Sequence, residues 1–136
     1  MPERLLSVQF KARFQSGVDE IRISMMSCLF CSFADGSIPV ERVGENENAF
    51  AIRDINPVAP THILIIPKDH FENAAEVVRV DSAVMASIFA LADEIARAQS
   101  LDGYRTVFNT GASVGQSVFH AHLHLLAGRT FGWPPG

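Results

Sequence analysis

The apolar residues of the chain follow two different periods, and the switch between them marks its elements. Residues 40–45 and 48–54 read as two short strands around the polar turn Glu45-Asn46-Glu47. Asn56-Pro57 and Ala59-Pro60 interrupt the pattern, since proline removes a backbone donor and restricts the residue before it. Residues 62–66 form a compact β-branched run stopped by Pro67, which predicts a buried strand. The period then lengthens. Asp81 or Ser82 caps a helix reaching to the neighbourhood of Ser100, with Val84, Met85, Ile88, Phe89, Leu91, Ala92 and Ile95 as a broad apolar face. Asp93 and Arg97 pair on its exposed side. Gly103 ends that region, residues 104–109 alternate as a strand, 110–116 read as a loop, and 117–126 as another strand. The tail Gly132-Trp133-Pro134-Pro135-Gly136 does not continue regular structure. Strands, one main helix and strands again, on short links, predict an α+β domain with a largely antiparallel sheet.

Residues 1–27 read differently. Phe10, Phe14, Val18 and Ile21 fit one helical stripe, weakened by Gly17, and the segment ends in Met25-Met26 directly before a cysteine motif. Two readings stand: an extension that lies on the domain, or residues upstream of a true start at one of these methionines. The domain proper is expected at 28–136. Charges at Glu3, Arg4, Lys11, Arg13, Asp19, Glu20 and Arg22 leave no apolar core for a signal peptide, and no segment approaches the roughly 18 apolar residues of a membrane span.

Composition narrows the function classes. The chain has 136 residues, 48% hydrophobic and 19% charged, which predicts one folded core rather than disorder. Its 11 basic and 15 acidic residues give a net charge of −4. Lys11 and Lys68 are its only lysines and its arginines are scattered, so no basic stripe offers itself to a nucleic-acid polymer. With 2 cysteines and no export signal, a disulfide scaffold is not expected and a cytoplasmic location is.

The histidines carry the sharpest signal. Three of them alternate in His120-Ala121-His122-Leu123-His124-Leu125-Leu126. On a strand the three imidazoles would line one face, with Ala121, Leu123 and Leu125 entering the core on the other. Satisfied polar residues, a three-histidine zinc site and nucleophilic catalysis at phosphorus or carbonyl carbon all remain open from the pattern alone. Imidazole at all three positions carries a desolvation cost that valine or threonine would avoid. Cys28-Leu29-Phe30-Cys31 adds a C-x-x-C pair with no thioredoxin-like pattern around it.

The histidine run resembles the signature of the histidine triad family, in which three histidines alternate with apolar residues. The likeness extends over Asp54 to His62, through His70, to Asn109 and Gly115-Gln116-Ser117. The ending Trp133-Pro134-Pro135-Gly136 is similar to the histidine triad nucleotide-binding branch, the purine nucleoside phosphoramidases. This resemblance implies that the sheet of about five strands continues across a two-fold homodimer, the commonest closed assembly, with Trp133 reaching toward the partner's site.

It also implies roles. His122 is the nucleophile at the α-phosphate of a purine nucleoside 5′-monophosphate derivative, forming a nucleotidyl-histidine that water hydrolyses. His124, Gln116 and main-chain donors at Gly115 face phosphate oxygens, Ser117 guides the leaving group, and Asn109 holds phosphate or ribose. Asp54 takes the ribose hydroxyls, since a carboxylate accepts from vicinal donors. Leu29, Phe30, Ile52 and Ile55 form the base slot, and His62 lines the site. The likeness further pairs Cys28 and Cys31 with His70 and His120 around one structural zinc. The other functions kept open are dinucleoside polyphosphate hydrolysis, as in the fragile-histidine-triad branch, a zinc-dependent hydrolase, and a nucleotide-binding interaction module with incidental catalysis.

Overall fold

The computed structural model describes residues 27–136. The expectations for residues 1–26 lie outside the described part. The chain divides after Ile38 into two units.

The described part of the first unit is built on helix α1, Leu29–Asp35. Cys28 caps it with its thiol, Sγ accepting the Cys31 N–H at 3.4 Å. Gly36 closes it at φ 83°, a left-handed conformation that glycine takes without a Cβ clash. Phe30 is buried and stacks on Phe33, ring centroids 6.0 Å apart.

The second unit holds a five-stranded sheet: β1 Gly44–Glu45, β2 Ala49–Arg53, β3 Thr61–Pro67, β4 Arg105–Val107 and β5 Leu123–Ala127. The spatial order is β1-β2-β3-β5-β4 and every pairing is antiparallel. Two helices join β3 to β4: α2, Ala74–Val80, and α3, Ser82–Ala98. The fold class is therefore α+β, as the sequence predicts.

Strand alternation sends one set of side chains to each face of the sheet. Ala49, Ala51, Ile63, Ile65, Leu123 and Leu125 meet Val84, Ile88, Leu91, Ala92 and Ile95 of α3 and Val77 of α2 in one core, joined by Ala121. Of the seven α3 positions that the sequence places on its apolar face, these five enter the core, Met85 is partly buried against it, and Phe89 is exposed instead. His62, Leu64, His124 and Leu126 consequently point to the face away from the helices. In the β3–β5 register His62 stands opposite Leu126 and Leu64 opposite His124, so the two histidines are diagonal neighbours on that face.

Boundaries differ where other hydrogen bonds, from side chains or from distant backbone, take over from the strand ladder. Only Gly44–Glu45 of the expected 40–45 strand is formed, although the Val43 N–H still reaches the Ala51 carbonyl at 2.8 Å. In the turn that follows, Asn46 Oδ1 accepts the N–H groups of Asn48 and Ala49 at 3.1 and 2.9 Å, and Nδ2 donates to the Ser87 carbonyl at 2.9 Å. The expected 117–126 strand starts only at Leu123, because the Ala121 N–H is drawn to the Phe71 carbonyl at 2.7 Å. The loop at 110–116 contains a single 3₁₀ turn, Ala112–Val114. Helices α1 and α2 were not expected. Asn73 caps α2 through its side chain on the Glu76 N–H, 3.0 Å, and Glu76 Oε1 reaches back to the Glu72 N–H at 2.6 Å. After β5 the chain turns at Gly128, φ 98°, where a Cβ would lie 2.8 Å from Pro60 Cβ.

Among the described residues no helix is long and apolar enough to cross a membrane.

Candidate active site

The histidine cluster on the sheet face away from the helices follows from register. Arg53 pairs with Ile63, and the Asp54 N–H extends the ladder by donating to the His62 carbonyl at 3.0 Å. Asp54 and His62 are thus directly opposite one another, with His124 one diagonal step away. His62 Nε2 lies 2.9 Å from His124 Nδ1 and 3.3 Å from Asp54 Oδ2. The His124 ring in turn is 5.0 Å, centroid to centroid, from that of His122.

Hydrogen-bond partners fix the proton on each ring. The Val58 N–H donates to His62 Nδ1 at 3.1 Å, so a neutral His62 carries its proton on Nε2. That proton points at His124 Nδ1, which must accept, so a neutral His124 carries its own proton on Nε2. His122 Nδ1 lies 2.8 Å from the His120 carbonyl, which only accepts. His122 therefore donates from Nδ1 and bears its lone pair on Nε2. A fixed neighbour at one ring nitrogen setting the chemistry of the other is how imidazole is tuned.

Burial reinforces the neutral states of His122 and His124. It lowers the His122 pKa first of all, helped by His120 and opposed by the hydrogen bond to the His120 carbonyl and by Asp54. His124 is pushed down to about 4, first by burial and then by His122 and His62, with Asp54 opposing. The stability consequence has a definite sign. Between about pH 6.5 and about pH 4 the unfolded chain takes up a proton at His124 that the folded chain refuses. The His124 contribution is present above that window and lost as pH falls through it. Thermal melts from pH 7 to 4 are expected to show a smaller fall in Tm for His124→Asn, which keeps an acceptor for His62, than for the native chain. Equal slopes would remove this role.

The three triad imidazoles do not share one exposed face. His120 lies before β5 begins and is fully buried; its Nε2 donates to the Pro67 carbonyl at 2.8 Å, which leaves the lone pair of the neutral ring on Nδ1. His120 Nδ1 is 3.2 Å from His70 Nδ1, with the rings edge to face at 4.8 Å. Two nitrogen ligands about 2.0–2.1 Å from a tetrahedral zinc lie about 3.3 Å apart. The spacing of this pair fits that edge, and the Pro67 carbonyl stands where an outer partner of a metal-bound imidazole would be needed. In the first unit Cys28 and Cys31 are half-buried and not joined in a disulfide. Two thiols and two imidazoles are a donor set suited to zinc.

The 111–118 loop assigns Gln116 a different task from phosphate contact. Its side chain is buried; Oε1 accepts the Gly111 N–H at 2.8 Å, and Nε2 donates to the Glu72 and Val118 carbonyls at 2.7 and 3.1 Å. Both amide hydrogens are used, and the Gly115 and Gln116 N–H groups bond to Ala112 and Gly111 carbonyls at 3.1 Å. Gln116 is a strut that presents exposed Ser117. Gln116→Ala strands three backbone groups and is expected to cost about 1–3 kcal/mol in chemical denaturation. An unchanged midpoint would contradict the strut.

The remaining expected residues are more dispersed. Ile52 is buried and Asn109 half-buried, whereas Ile55 and Trp133 stand 91% and 84% exposed. Leu29 is exposed and Phe30 buried in the first unit. The pairing of Asp54 with His62, and of His62 with His124, is what the sequence reading missed; only the strand register brings it out.

Comparison with known proteins places the chain in a family. The model of the HIT domain matches residues 35–131. A 14 kDa zinc-binding protein of Zea mays is 42% identical over 118 residues, covering 85% of this chain and 92% of its own. The crystal structure of a HIT family hydrolase from Legionella pneumophila is 50% identical with a TM-score of 0.76, over 81% of this chain and 100% of that one. A hypothetical histidine triad nucleotide-binding protein from Sulfolobus tokodaii is 36% identical with a TM-score of 0.63, over 74% of this chain and 68% of that one. The chain belongs to the HIT domain family.

Proposed function

We propose that the protein is a nucleotide hydrolase that cleaves the P–N bond, or a related bond, at the α-phosphate of purine nucleoside 5′-monophosphate derivatives. The observation that carries this reading is His122: its Nδ1–H is held by the His120 carbonyl at 2.8 Å, so a ring kept neutral by burial directs its lone pair from Nε2. The names of the Legionella and Sulfolobus relatives, a hydrolase and a nucleotide-binding protein, agree with it.

The reaction has two displacements. His122 Nε2 attacks phosphorus, a P–N bond to the imidazole forms, and the bond to the leaving group breaks. The Ser117 hydroxyl gives its proton to the departing amine and recovers one from the attacking water in the second displacement. Water then attacks the same phosphorus, the imidazole leaves with its electron pair, and the nucleoside monophosphate is released. Splitting one hard displacement into two easier ones is the gain from a covalent intermediate. His124 donates from Nε2 to a non-bridging oxygen as charge grows there. Asp54 takes the ribose hydroxyls, Asn109 holds ribose or phosphate, the Gly115 turn lets the substrate approach, and Leu29, Phe30, Ile52 and Ile55 form an apolar base slot.

Exposed Trp133 is a residue for a partner's site in a homodimer. Cys28, Cys31, His70 and His120 are the proposed ligands of one zinc, a reading supported by the C-x-x-C motif and the 3.2 Å imidazole pair. Bound there, zinc would supply structural cross-linking and leave His122 and His124 to act on phosphate.

Rapid-quench mass spectrometry with adenosine 5′-phosphoramidate tests the reading. An adenylyl adduct on His122 is expected. An adduct on another residue, or bound nucleotide with no turnover, overturns it.

A further inference from the structure

Asp54, His62 and His124 form a contiguous group whose ligand atoms all lie within 4.8 Å of one another. A metal ion is one use of such a group, but the hydrogen bonds oppose it. The Val58 N–H occupies the His62 Nδ1 lone pair and leaves a proton, not a lone pair, on the Nε2 that faces the other two residues. The group is arranged to share that proton.

The sharing is unequal and adjustable. The His62 Nε2–H has a neutral acceptor, His124 Nδ1, at 2.9 Å and a carboxylate acceptor, Asp54 Oδ2, at 3.3 Å. The shorter contact favours His124, whereas the charge of Asp54 draws the proton the other way. A carboxylate offers about four lone-pair sites. In Asp54 one is taken by the Asn56 N–H, 2.8 Å from Oδ1, and one faces His62. The remaining capacity suits two vicinal hydroxyls, and the side chain is 19% exposed, open enough to be reached.

The geometry points to a coupling between the two ends of the substrate: ribose hydroxyls on Asp54 release the His62 proton toward His124 and so strengthen the His124 Nε2–H as a donor to phosphate. This rests on the nucleotide hydrolase reading above. Hydroxyl donors spread the carboxylate charge and weaken its hold on the His62 proton. A stronger bond into His124 Nδ1 polarises that ring and makes its opposite N–H more acidic, the ordinary cooperativity of hydrogen-bond chains. His62 is then a positioning residue that touches no substrate, and Asp54 discriminates ribose from deoxyribose in the rate of reaction as well as in binding.

Two measurements test the coupling. In the native protein, imidazole nitrogen NMR is recorded with adenosine bound and with 2′,3′-dideoxyadenosine bound, no phosphate being present in either. The His124 resonances are expected to move with adenosine and to stay near their free positions with the dideoxynucleoside. Kinetics then compare adenosine and 2′,3′-dideoxyadenosine 5′-phosphoramidates. Loss of the diol is expected to lower kcat about tenfold besides raising KM, the effect of about one hydrogen bond. In His62→Gln, whose carboxamide donates to both neighbours at once, the kcat ratio is expected to fall toward one. Identical His124 resonances in the two complexes, failure of adenosine to bind, or a substrate difference carried wholly by KM each overturns the coupling. A His124 shift without any phosphoramidate turnover overturns the hydrolase reading and leaves the coupling intact. An adduct on His122 with unmoved His124 resonances does the reverse.

Discussion

His122→Asn is expected to lower turnover of adenosine 5′-phosphoramidate by about 10⁴-fold or more while nucleotide monophosphate still binds. Asparagine isolates the nucleophile from its scaffold. Its side-chain N–H₂ can donate to the His120 carbonyl as the Nδ1–H does now over 2.8 Å, so the approach to β5 keeps its bond. What disappears is the lone pair at Nε2, for which the amide has no substitute at that distance from the backbone. His124→Asn should be milder, about 10²-fold, because it removes one donor to developing charge and not the attacking atom. The ranking is the discriminating result. If His124→Asn proves the more damaging of the two, or if His122→Asn keeps more than about a tenth of the native rate, the nucleophile has been misassigned. Calorimetry with adenosine monophosphate on both variants separates lost chemistry from lost binding.

The two largest features of the fold were legible because each repeats a local rule many times. Helix α3 carries its apolar stripe over 17 residues and starts at an Asp81 cap whose carboxylate accepts the Ala83 N–H at 3.1 Å. Strand β3 is a β-branched run with a proline at its end, and it is buried on both faces. Short elements repeat nothing. Helix α2 is 7 residues long, and its signal, Asn73 followed by Glu76, is a capping pair that periodicity does not register. Helix α1 hides behind an unusual cap, a thiol where an oxygen side chain is the rule.

The histidine run shows the limit of a strand rule. Alternation correctly sends Ala121, Leu123 and Leu125 inward. It does not say that the ladder fails before Leu123, which is decided by a carbonyl at Phe71 far away in sequence. That failure gives His120 to Pro67 and His70, and leaves only His122 and His124 of the three on the face away from the helices. The partnership of His62 with His124 depends on the register of β3 against β5, a tertiary quantity with no local signature.

Removing zinc is expected to have the second large effect, on stability first and on rate through it. Untagged protein should carry about one zinc per chain, and Cys31→Ser should lose it. An ion that binds the folded chain and not the unfolded one stabilises it in proportion to the logarithm of its affinity. Each kcal/mol lost lowers Tm by about 4 °C in a domain of this size, and losing a bound ion worth several kcal/mol is expected to lower Tm by about 10 °C or more. Cys31→Ser is a cleaner probe than His120→Ala, which also strands the buried Pro67 carbonyl. The consequence for rate runs through the backbone: the His120 carbonyl that holds the His122 Nδ1–H belongs to a proposed zinc ligand. Loosening His120 lets the His122 ring turn away from its tautomer-fixing partner. Cys31→Ser is therefore expected to lower kcat more than it raises KM, and added zinc should not restore it. Less than about a tenth of an equivalent of zinc in freshly purified native protein, or a Cys31→Ser variant with native Tm and native kcat, would leave the cysteines as ordinary half-buried thiols.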